Sequence, residues 1–442
     1  MFVHFAEKHF PRLNELARGR KQGVGFAAWL AIRNTTNSTS WNVKEEYWVA
    51  QVAHRINVLA QQGVLDDAEE SDSAAHTTGI LPSQDLEHLV RVTKEIGAIE
   101  EDIQDDQYQP ASLDLRLGPV AYRVRASFLP GERSTVKQRL ADLAMHKMDI
   151  SEGGVLERGC VYIVPLLEHL NLRHRTSAMG NPKSSTGRLD IFTRLITDYG
   201  TEFDRVREQY KGPLYAEVSP RTFSVLVRKG SRLSQIRIRR GNPPTTEKAL
   251  RRLQEESQVI GSDISEDKIR DGFPIRVDVR GDASGGLIGY KAKNHAGLID
   301  IDKVRHYDLR DFWDPVQAPR KGGLVLDPAD FYILASRESV KVPPTHAAEM
   351  IAYDTLVGEF RVHYAGFFDP GFGHPAAGGE GSRAVLEVRS YEVPFVIEDG
   401  QVVGRLTYER LTSPPNRLYG TGGVKSSYQK QGIALSKHFK PQ

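Results

Sequence analysis

Beyond residue 109 the chain alternates apolar and polar residues in many short segments. Examples are SLDLRL, AYRVRA, VYIVPLL, LYAEVS and SQIRIRR, which glycine and proline residues separate from one another. A period of two is typical of β-strands that bury one face. The pattern therefore predicts a mainly β protein, built as a sandwich or barrel with short connecting helices.

Helical patterns are few and lie beside the β-rich segments. Residues 45–65 place apolar side chains at helical spacing, and the acidic stretch over residues 66–75 is typical of a linker. An amphipathic run begins after Pro82 and Ser83, which favour a helix start. A polar run over residues 248–258 predicts a short helix. These helices are expected to extend or connect the β structure.

The second half of the chain repeats the pattern of the first half. The segment EVSPRTFSVLVRKG, which begins at Glu217, aligns without a gap with EVRSYEVPFVIEDG, which begins at Glu387. Upstream, Asp204 aligns with Asp369, and YIVPLLEHLNL aligns with YILASRESVKV. Because the matches run in one order, they indicate an internal duplication. We therefore divide the chain into a helical or partly disordered extension over 1–78, a first copy over 79–240, a helical linker over 241–271, a second, degenerate copy over 272–411, and a tail over 412–442.

The composition excludes several classes of protein. Lysine and arginine total 59, and aspartate and glutamate total 57, so the chain has no basic excess for binding nucleic acid. Its single cysteine, Cys160, allows neither an intramolecular disulfide nor a zinc site built on a cysteine pair. No apolar run is long enough to span a bilayer, and the first residues lack a signal-peptide core. We expect a cytoplasmic protein that binds neither nucleic acid nor membranes.

A polar turn, NPKSSTGRLDIF, carries the strongest cluster of chemically useful side chains. It is not a phosphate loop, because Pro182 stands where that motif needs glycine and the following residues alternate like a strand. Its two adjacent serines, a lysine and an arginine can hold phosphate oxygens and polar base atoms. An ordinary solvent-exposed turn is the alternative interpretation.

A single acidic residue, Glu217, interrupts the apolar strand PLYAEVSP. In a strand it lies on the opposite face from its apolar neighbours Ala216 and Val218. A carboxylate that lines a cavity inside a barrel has a raised pKa, which suits general acid–base catalysis. A carboxylate that faces solvent is the ordinary alternative.

Together these motifs resemble those of the dCTP deaminases, whose superfamily includes the trimeric dUTPases. The matching segments are QPASLDLRLGPVAYRV from Gln109, KSSTGRL from Lys183, Asp204 ahead of YKG, LYAEV around Glu217, and Tyr419 followed by SYQKQG. The resemblance covers most of the first copy and the tail. The two-copy length resembles a double-length bacterial subgroup. The resemblance implies a dUTPase-like β-barrel fold for each copy.

Two departures from the family pattern affect phosphate binding, and a third affects the second copy. Lys183 replaces the usual first arginine of the turn, and Ser427 stands where the family often has lysine. In the second copy the turn becomes AYDTLVGEFRVH, which lacks the serine pair and has Glu359 near the arginine position. We therefore expect the second copy to be structural and catalytically silent, although Glu387 keeps its place.

The resemblance implies zinc-independent hydrolysis of dCTP to dUTP and ammonia. In this assignment Glu217 moves protons between water, the ring and the leaving ammonia, Ser184 holds the water, and Arg188 orients Ser184 and the pyrimidine. The resemblance assigns substrate binding to five further residues: Lys183 and Ser185 at the phosphates, Asp204 at the sugar, and Tyr419 and Gln431 in a closing tail. Mg²⁺ is expected to bind through the substrate triphosphate, with no metal site on the protein.

Further expectations and alternatives accompany this assignment. The family resemblance implies a homo-oligomer, with a trimer favoured, and makes dTTP a candidate inhibitor. A bifunctional enzyme that continues to dUMP and diphosphate is one alternative. A nucleotide-binding regulator without catalysis, or a purely structural β-barrel protein, is another. The presence of Ser184, Arg188 and Glu217 together in the first copy favours an enzyme.

Overall fold

The computed structural model describes residues 76–441, with gaps at 244, 262–268, 282–285, 352–360, 363–365, 391, 422–427 and 430–431. The predicted helix over residues 45–65 therefore lies outside the described residues, as do Gln431 and Glu359. The remaining chain is mainly β, as the alternation predicts.

The first copy contains thirteen strands among its described residues. They are β1 Gly79–Ile80, β2 Ile96–Ala98, β3 Leu113–Leu115, β4 Val120–Val124, β5 Ala144–Asp149, β6 Gly154–Leu156, β7 Val161–Asn171, β8 Thr176–Pro182, β9 Ile191–Thr197, β10 Arg205–Val206, β11 Lys211–Pro220, β12 Val225–Val227 and β13 Ser234–Arg240.

The second copy adds twelve strands over the part that the structure describes. They are β14 Phe273–Arg276, β15 Leu287–Ala292, β16 Ile299–Asp300, β17 Trp313–Gln317, β18 Leu324–Leu326, β19 Phe331–Val340, β20 His346–Ile351, β21 Arg361–Val362, β22 Phe367–Phe368, β23 Ser382–Arg389, β24 Phe395–Ile397 and β25 Val402–Arg410.

Short helices connect the strands near the positions that the sequence predicts. Helix α1 begins at Ser83, directly after Pro82, and the polar connecting helix α4 begins at Glu247. The capping box between Thr135 and Gln138 starts α2. The described helices are α1 Ser83–Arg91, α2 Val136–Leu143, α3 Ser184–Gly187 and α4 Glu247–Ser257, with 3₁₀ turns at Asp105–Gln107, Leu309–Asp311 and Pro375–Ala377.

The two copies share one sheet topology. In the first copy the strand orders are β1-β13-β8-β10, with β3 also on β13, and β5-β4-β7-β11-β9. In the second copy they are β14-β25-β20-β22 and β17-β15-β19-β23-β21. Each copy also has a small strand pair, β6 with β12 and β18 with β24. The repeat that is visible in the sequence is therefore also a repeat of strand order.

Equivalent buried residues make equivalent contacts in the two copies. Glu168 accepts hydrogen bonds from the backbone N–H and Nε of Arg116 at 2.7 and 2.8 Å. Glu338 accepts the same pair from Arg276 at 2.8 and 2.5 Å. The contacts agree with the alignment of Glu168 with Glu338, and they place Arg276 at the position of Arg116.

The copies differ in how the connection between two central strands packs. In the second copy the connection over residues 293–312 carries β16, which pairs in parallel with β12 of the first copy. In the first copy the equivalent connection over residues 125–143 folds back on its own sheet, where Phe128 and Leu140 pack with Ile163 and Tyr215. One sheet face of the second copy thus packs on the first copy, while the equivalent face of the first copy is covered by its own connection.

Candidate active site

A cavity of about 520 Å³ lies between the two copies. One wall is the turn at α3 in the first copy, and the opposite wall comes from β22 and β23 of the second copy. Tail residues, among them Tyr419 and Tyr428, complete the lining. Three parts of one chain therefore form this cavity.

The first wall is a single helical turn between two strands. The backbone N–H of Thr186 donates to the Lys183 carbonyl at 2.8 Å, and that of Arg188 donates to the Ser184 carbonyl at 3.1 Å. The buried hydroxyl of Thr186 donates to the Leu233 carbonyl at 2.8 Å and fixes the turn on the first copy. This anchoring presents the two serines and Arg188 to the cavity.

Arg188 joins all three parts of the cavity. Its guanidinium donates to the tail carbonyl of Ala434 at 2.9 Å and lies 3.7 Å from the ring centre of Tyr428. Its Nε is 4.0 Å from Oε1 of Glu387 on β23. A cation–π contact and an ion pair in a buried site hold the arginine in one place.

Glu387 is the buried acid of the cavity. Burial raises the pKa of its carboxyl to about 7, against the opposing effect of Arg188. A carboxyl group with this pKa exchanges protons readily near neutral pH, which is the requirement for a general acid–base.

The structure does not place Glu217 beside Ser184 and Arg188, where the sequence analysis expects it. Among the described residues that line the cavity, Glu387 is present and Glu217 is not. Burial raises the pKa of Glu217, and hydrogen bonds from Ser127 and the Phe128 backbone oppose that rise. The connection over residues 125–143 covers this carboxyl, so it does not meet Ser184 and Arg188 within the chain.

The central aspartate of the first copy, Asp204, also lies outside the cavity lining. Asp204 accepts the Leu195 N–H at 2.7 Å and pairs with Arg194 in the first copy. Burial raises the pKa of Asp204 to about 6. Asp369, with which the sequence aligns Asp204, lines the cavity and lies 3.4 Å from Nη2 of Arg237. The strand registers place Asp369 at the position of Arg207, three residues after Asp204, so this part of the sequence alignment is wrong.

Of four other predicted binding residues, three line the cavity and one lies outside the described residues. Lys183 and Ser185 line the cavity, and Lys183 pairs with Asp114. Tyr419 also lines it, with its ring 5.8 Å from that of Phe372. Gln431 lies outside the described residues. The structure thus brings Lys183, Ser184, Ser185, Arg188 and Tyr419 together, but not Glu217 and Asp204.

The physical reason for the difference is head-to-tail packing of the copies. On β23, Val385 and Glu387 point toward the first copy, whereas Leu386 and Val388 belong to the core of the second copy. The ungapped alignment already pairs Glu387 with Glu217, but it cannot show which of them faces the turn. Tyr428 lies in the tail motif SYQKQG, and the motif by itself indicates no role for this residue.

A buried ion pair fixes β23 beside the turn. Arg389, two residues after Glu387, pairs with Asp190, and its Nη2 also donates to Oγ1 of Thr222 at 2.9 Å. Thr222 donates in turn to Asp190 at 2.6 Å. Because Asp190 directly follows the α3 region, this pair sets the position of Glu387 relative to Arg188.

The described residues contain no group of three or more histidine, cysteine, aspartate or glutamate side chains that could hold a metal ion. In the same residues, no helix has the length and apolarity that crossing a bilayer requires.

The fold and the cavity together define a mainly β protein with a partly buried polar cavity between two similar β units. The model for the N-terminal domain of 2'-deoxycytidine 5'-triphosphate deaminase matches residues 77–242, and the model for its C-terminal domain matches residues 246–439. The chain belongs to the dCTP deaminase family.

Individual relatives agree with this assignment. The "dCTP deaminase, dUMP-forming" of Beutenbergia cavernae is 33% identical over 162 residues, which cover 36% of this chain and 76% of the relative. The protein of the same name from Mycobacterium marinum is 31% identical over 163 residues, with 36% and 77% covered. The crystal structure of 2'-deoxycytidine 5'-triphosphate deaminase from Agrobacterium tumefaciens has 54% identity and a TM-score of 0.72, and covers 76% of this chain and 100% of its own.

Proposed function

We propose that this chain hydrolyses the 4-amino group of dCTP and releases ammonia. The observation that carries the proposal is the meeting of Ser184 and Arg188 from the first copy with Glu387 from the second in one cavity. Membership of the dCTP deaminase family supports the choice of substrate.

In the proposed reaction Glu387 takes the general acid–base role. As a carboxylate it accepts a proton from water while the water oxygen forms a bond to C4 of cytosine. It then donates that proton to N3 and moves a second proton from the added hydroxyl to the amino group, whose C4–N bond breaks. The products are the uracil nucleotide and ammonia, so that water is the only other reactant. A pKa of about 7 allows Glu387 both to accept and to donate protons.

Ser184 and Arg188 position the reacting groups. The Ser184 hydroxyl is proposed to hold the attacking water and the oxyanion that forms from it, an interaction typically worth about 2.7–4 kcal/mol in a preorganised site. Arg188 fixes the Glu387 carboxylate and the pyrimidine edge. Tyr428, which lies against Arg188, covers the base end of the cavity and excludes water.

The remaining lining residues bind the rest of the substrate in this proposal. Lys183 and Ser185 contact the phosphates, Asp369 takes the sugar position expected of Asp204, and Tyr419 closes the cavity. Asp114, an acid in the cavity wall, already pairs with Lys183 and is therefore not proposed as a metal ligand. Mg²⁺ is proposed to bind to triphosphate oxygens and water, in keeping with its preference for substrate oxygens.

The names of the curated relatives favour a second, bifunctional outcome. The proteins from Beutenbergia cavernae and Mycobacterium marinum are both named "dUMP-forming". Under this alternative the chain would also hydrolyse the triphosphate and yield dUMP and diphosphate. The Agrobacterium tumefaciens structure carries the deaminase name alone.

Incubation of the purified chain with dCTP and Mg²⁺, followed by chromatography of the nucleotides, tests the proposal. A dUTP peak with an equal amount of ammonia supports simple deamination. A dUMP peak with diphosphate and ammonia supports the bifunctional form. Unchanged dCTP, in the presence of folded protein that binds it, contradicts both and supports a regulator.

Several expectations about the whole protein stay proposals. The division into copies over 79–240 and 272–411 is supported by the matching strand orders. A trimer, inhibition by dTTP and a cytoplasmic location rest on the sequence and the family resemblance.

A further inference from the structure

Lys437 in the tail lines the cavity together with Lys183 and Arg232, whose charges both act on it. Lys183 is paired with Asp114, and Arg232 is paired with Asp106 at 2.7 Å. By contrast, no described residue forms a hydrogen bond or an ion pair with the ammonium of Lys437. The cavity therefore contains a partly buried cation whose charge is not neutralised by these neighbours.

The backbone around Lys437 is fixed on both sides. Its N–H donates to the Tyr428 hydroxyl at 3.2 Å, and its carbonyl accepts from Arg305 N–H at 2.9 Å. The preceding Ser436 donates to the Ser185 carbonyl at 2.8 Å, and the following His438 donates from Nε2 to the Ile301 carbonyl at 2.8 Å. The ammonium is thus presented to the cavity from an anchored segment.

The charges near Lys437 favour an anion. Burial lowers the pKa of Lys437, the neighbouring charge of Lys183 lowers it further, and Asp114 opposes both effects. Two cations that share a partly buried space repel each other unless an anion lies between them. A polyphosphate would remove this repulsion and accept hydrogen bonds from both ammonium groups.

We propose that Lys437 binds the phosphate oxygens of the nucleoside triphosphate substrate. The inference rests on the proposed function and adds a binding residue to it. Because Lys437 and Tyr428 belong to the same tail, phosphate binding at Lys437 also holds Tyr428 over Arg188. Recognition of the triphosphate is thereby linked to closure of the base end of the cavity.

The test compares Lys437→Met, which removes the charge, with Lys437→Arg, which keeps it. Lys440→Met serves as the control, because Lys440 is exposed and close in sequence. Steady-state kinetics give KM and kcat for dCTP and for deoxycytidine, and calorimetry gives the affinity for inorganic tripolyphosphate.

For Lys437→Met we expect KM for dCTP and Kd for tripolyphosphate to rise about tenfold to a hundredfold, the usual effect of one charge-assisted hydrogen bond. The value of kcat/KM for deoxycytidine should stay within about twofold, because this substrate lacks phosphate. Lys437→Arg and Lys440→Met should both bind tripolyphosphate nearly as the unaltered chain does.

Two results would overturn the inference. The first is unchanged tripolyphosphate and dCTP affinity in Lys437→Met. The second is an equal loss for dCTP and deoxycytidine, which would indicate a structural role for the lysine. If the unaltered chain binds dCTP without releasing ammonia, the proposed function fails, while the tripolyphosphate comparison still decides the role of Lys437.

Discussion

Glu387 and Glu217 occupy equivalent positions in the two copies but have different neighbours. Glu387 lies beside Arg188, whereas Glu217 is covered by Ser127 and Phe128. We therefore expect Glu387→Gln to lower kcat by about a hundredfold to ten-thousandfold, the usual contribution of a general acid–base, with dCTP binding retained. Glu217→Gln is the matched control.

The measurement is ammonia release together with calorimetric dCTP affinity for both variants. Glu217→Gln should keep most of the activity, because its carboxyl lies outside the cavity. Full activity in Glu387→Gln combined with loss of activity in Glu217→Gln would return the catalytic role to the first copy.

The raised pKa of Glu387 has consequences for activity and for stability. On the acid side kcat/KM should fall as the pH drops through about 7, because the carboxylate is the base. Between pH 4.5 and about 7 the folded chain keeps a proton that the unfolded chain loses. The contribution of Glu387 to the free energy of unfolding therefore decreases as pH rises through that interval.

Urea unfolding of the unaltered chain and of Glu387→Gln at about pH 5 and about pH 8 measures this contribution. Stability should decline more steeply with increasing pH in the unaltered chain than in the variant. Parallel pH dependences would show that the pKa of Glu387 is not raised in the folded state.

At the scale of elements, the pair between Arg389 and Asp190 holds β23 against the α3 turn. Asp190 is 1% exposed, so Arg389→Met removes the arginine partner of a buried carboxylate and should cost about 3–5 kcal/mol of stability. We also expect a lower kcat, because Glu387 lies two residues away on the same strand. Adding Asp190→Asn should restore part of the stability.

The control for this prediction is Arg91→Met, which removes an exposed ion pair with Asp105. It should change the free energy of unfolding by less than about 1 kcal/mol. If urea denaturation gives Arg389→Met the same small effect as Arg91→Met, the pair does not hold the two elements together.

The sequence predicts the elements of this site better than their partners. Alternation identifies β11 and β23, and the polar turn identifies Ser184 and Arg188, since these signals are local. Whether Glu217 or Glu387 faces the turn depends on the connections over residues 125–143 and 293–312. One folds on its own sheet and the other pairs with β12 of the first copy. Such packing is a long-range property that hydrophobic periodicity does not encode.

At the scale of the whole molecule, one chain supplies both walls of the cavity. Head-to-tail packing of similar units ordinarily continues into a ring or a filament. In the first copy, however, residues 125–143 cover the sheet face through which the next unit would be added. We therefore expect each chain to complete one site by itself, whatever the oligomeric state.

Mixing two inactive variants distinguishes a site within one chain from a site between chains. Ser184→Ala and Glu387→Gln chains, unfolded and refolded together, should recover no activity. A site formed within one chain lacks either Ser184 or Glu387 in every molecule of this mixture. A site shared between chains would instead recover up to about a quarter of the activity in the mixture, since random pairing produces some intact sites. The matched control is a refolded mixture of the unaltered chain and the double variant, which should retain the activity of its unaltered fraction. Recovery in the first mixture would assign the partnership of Ser184 and Glu387 to neighbouring subunits.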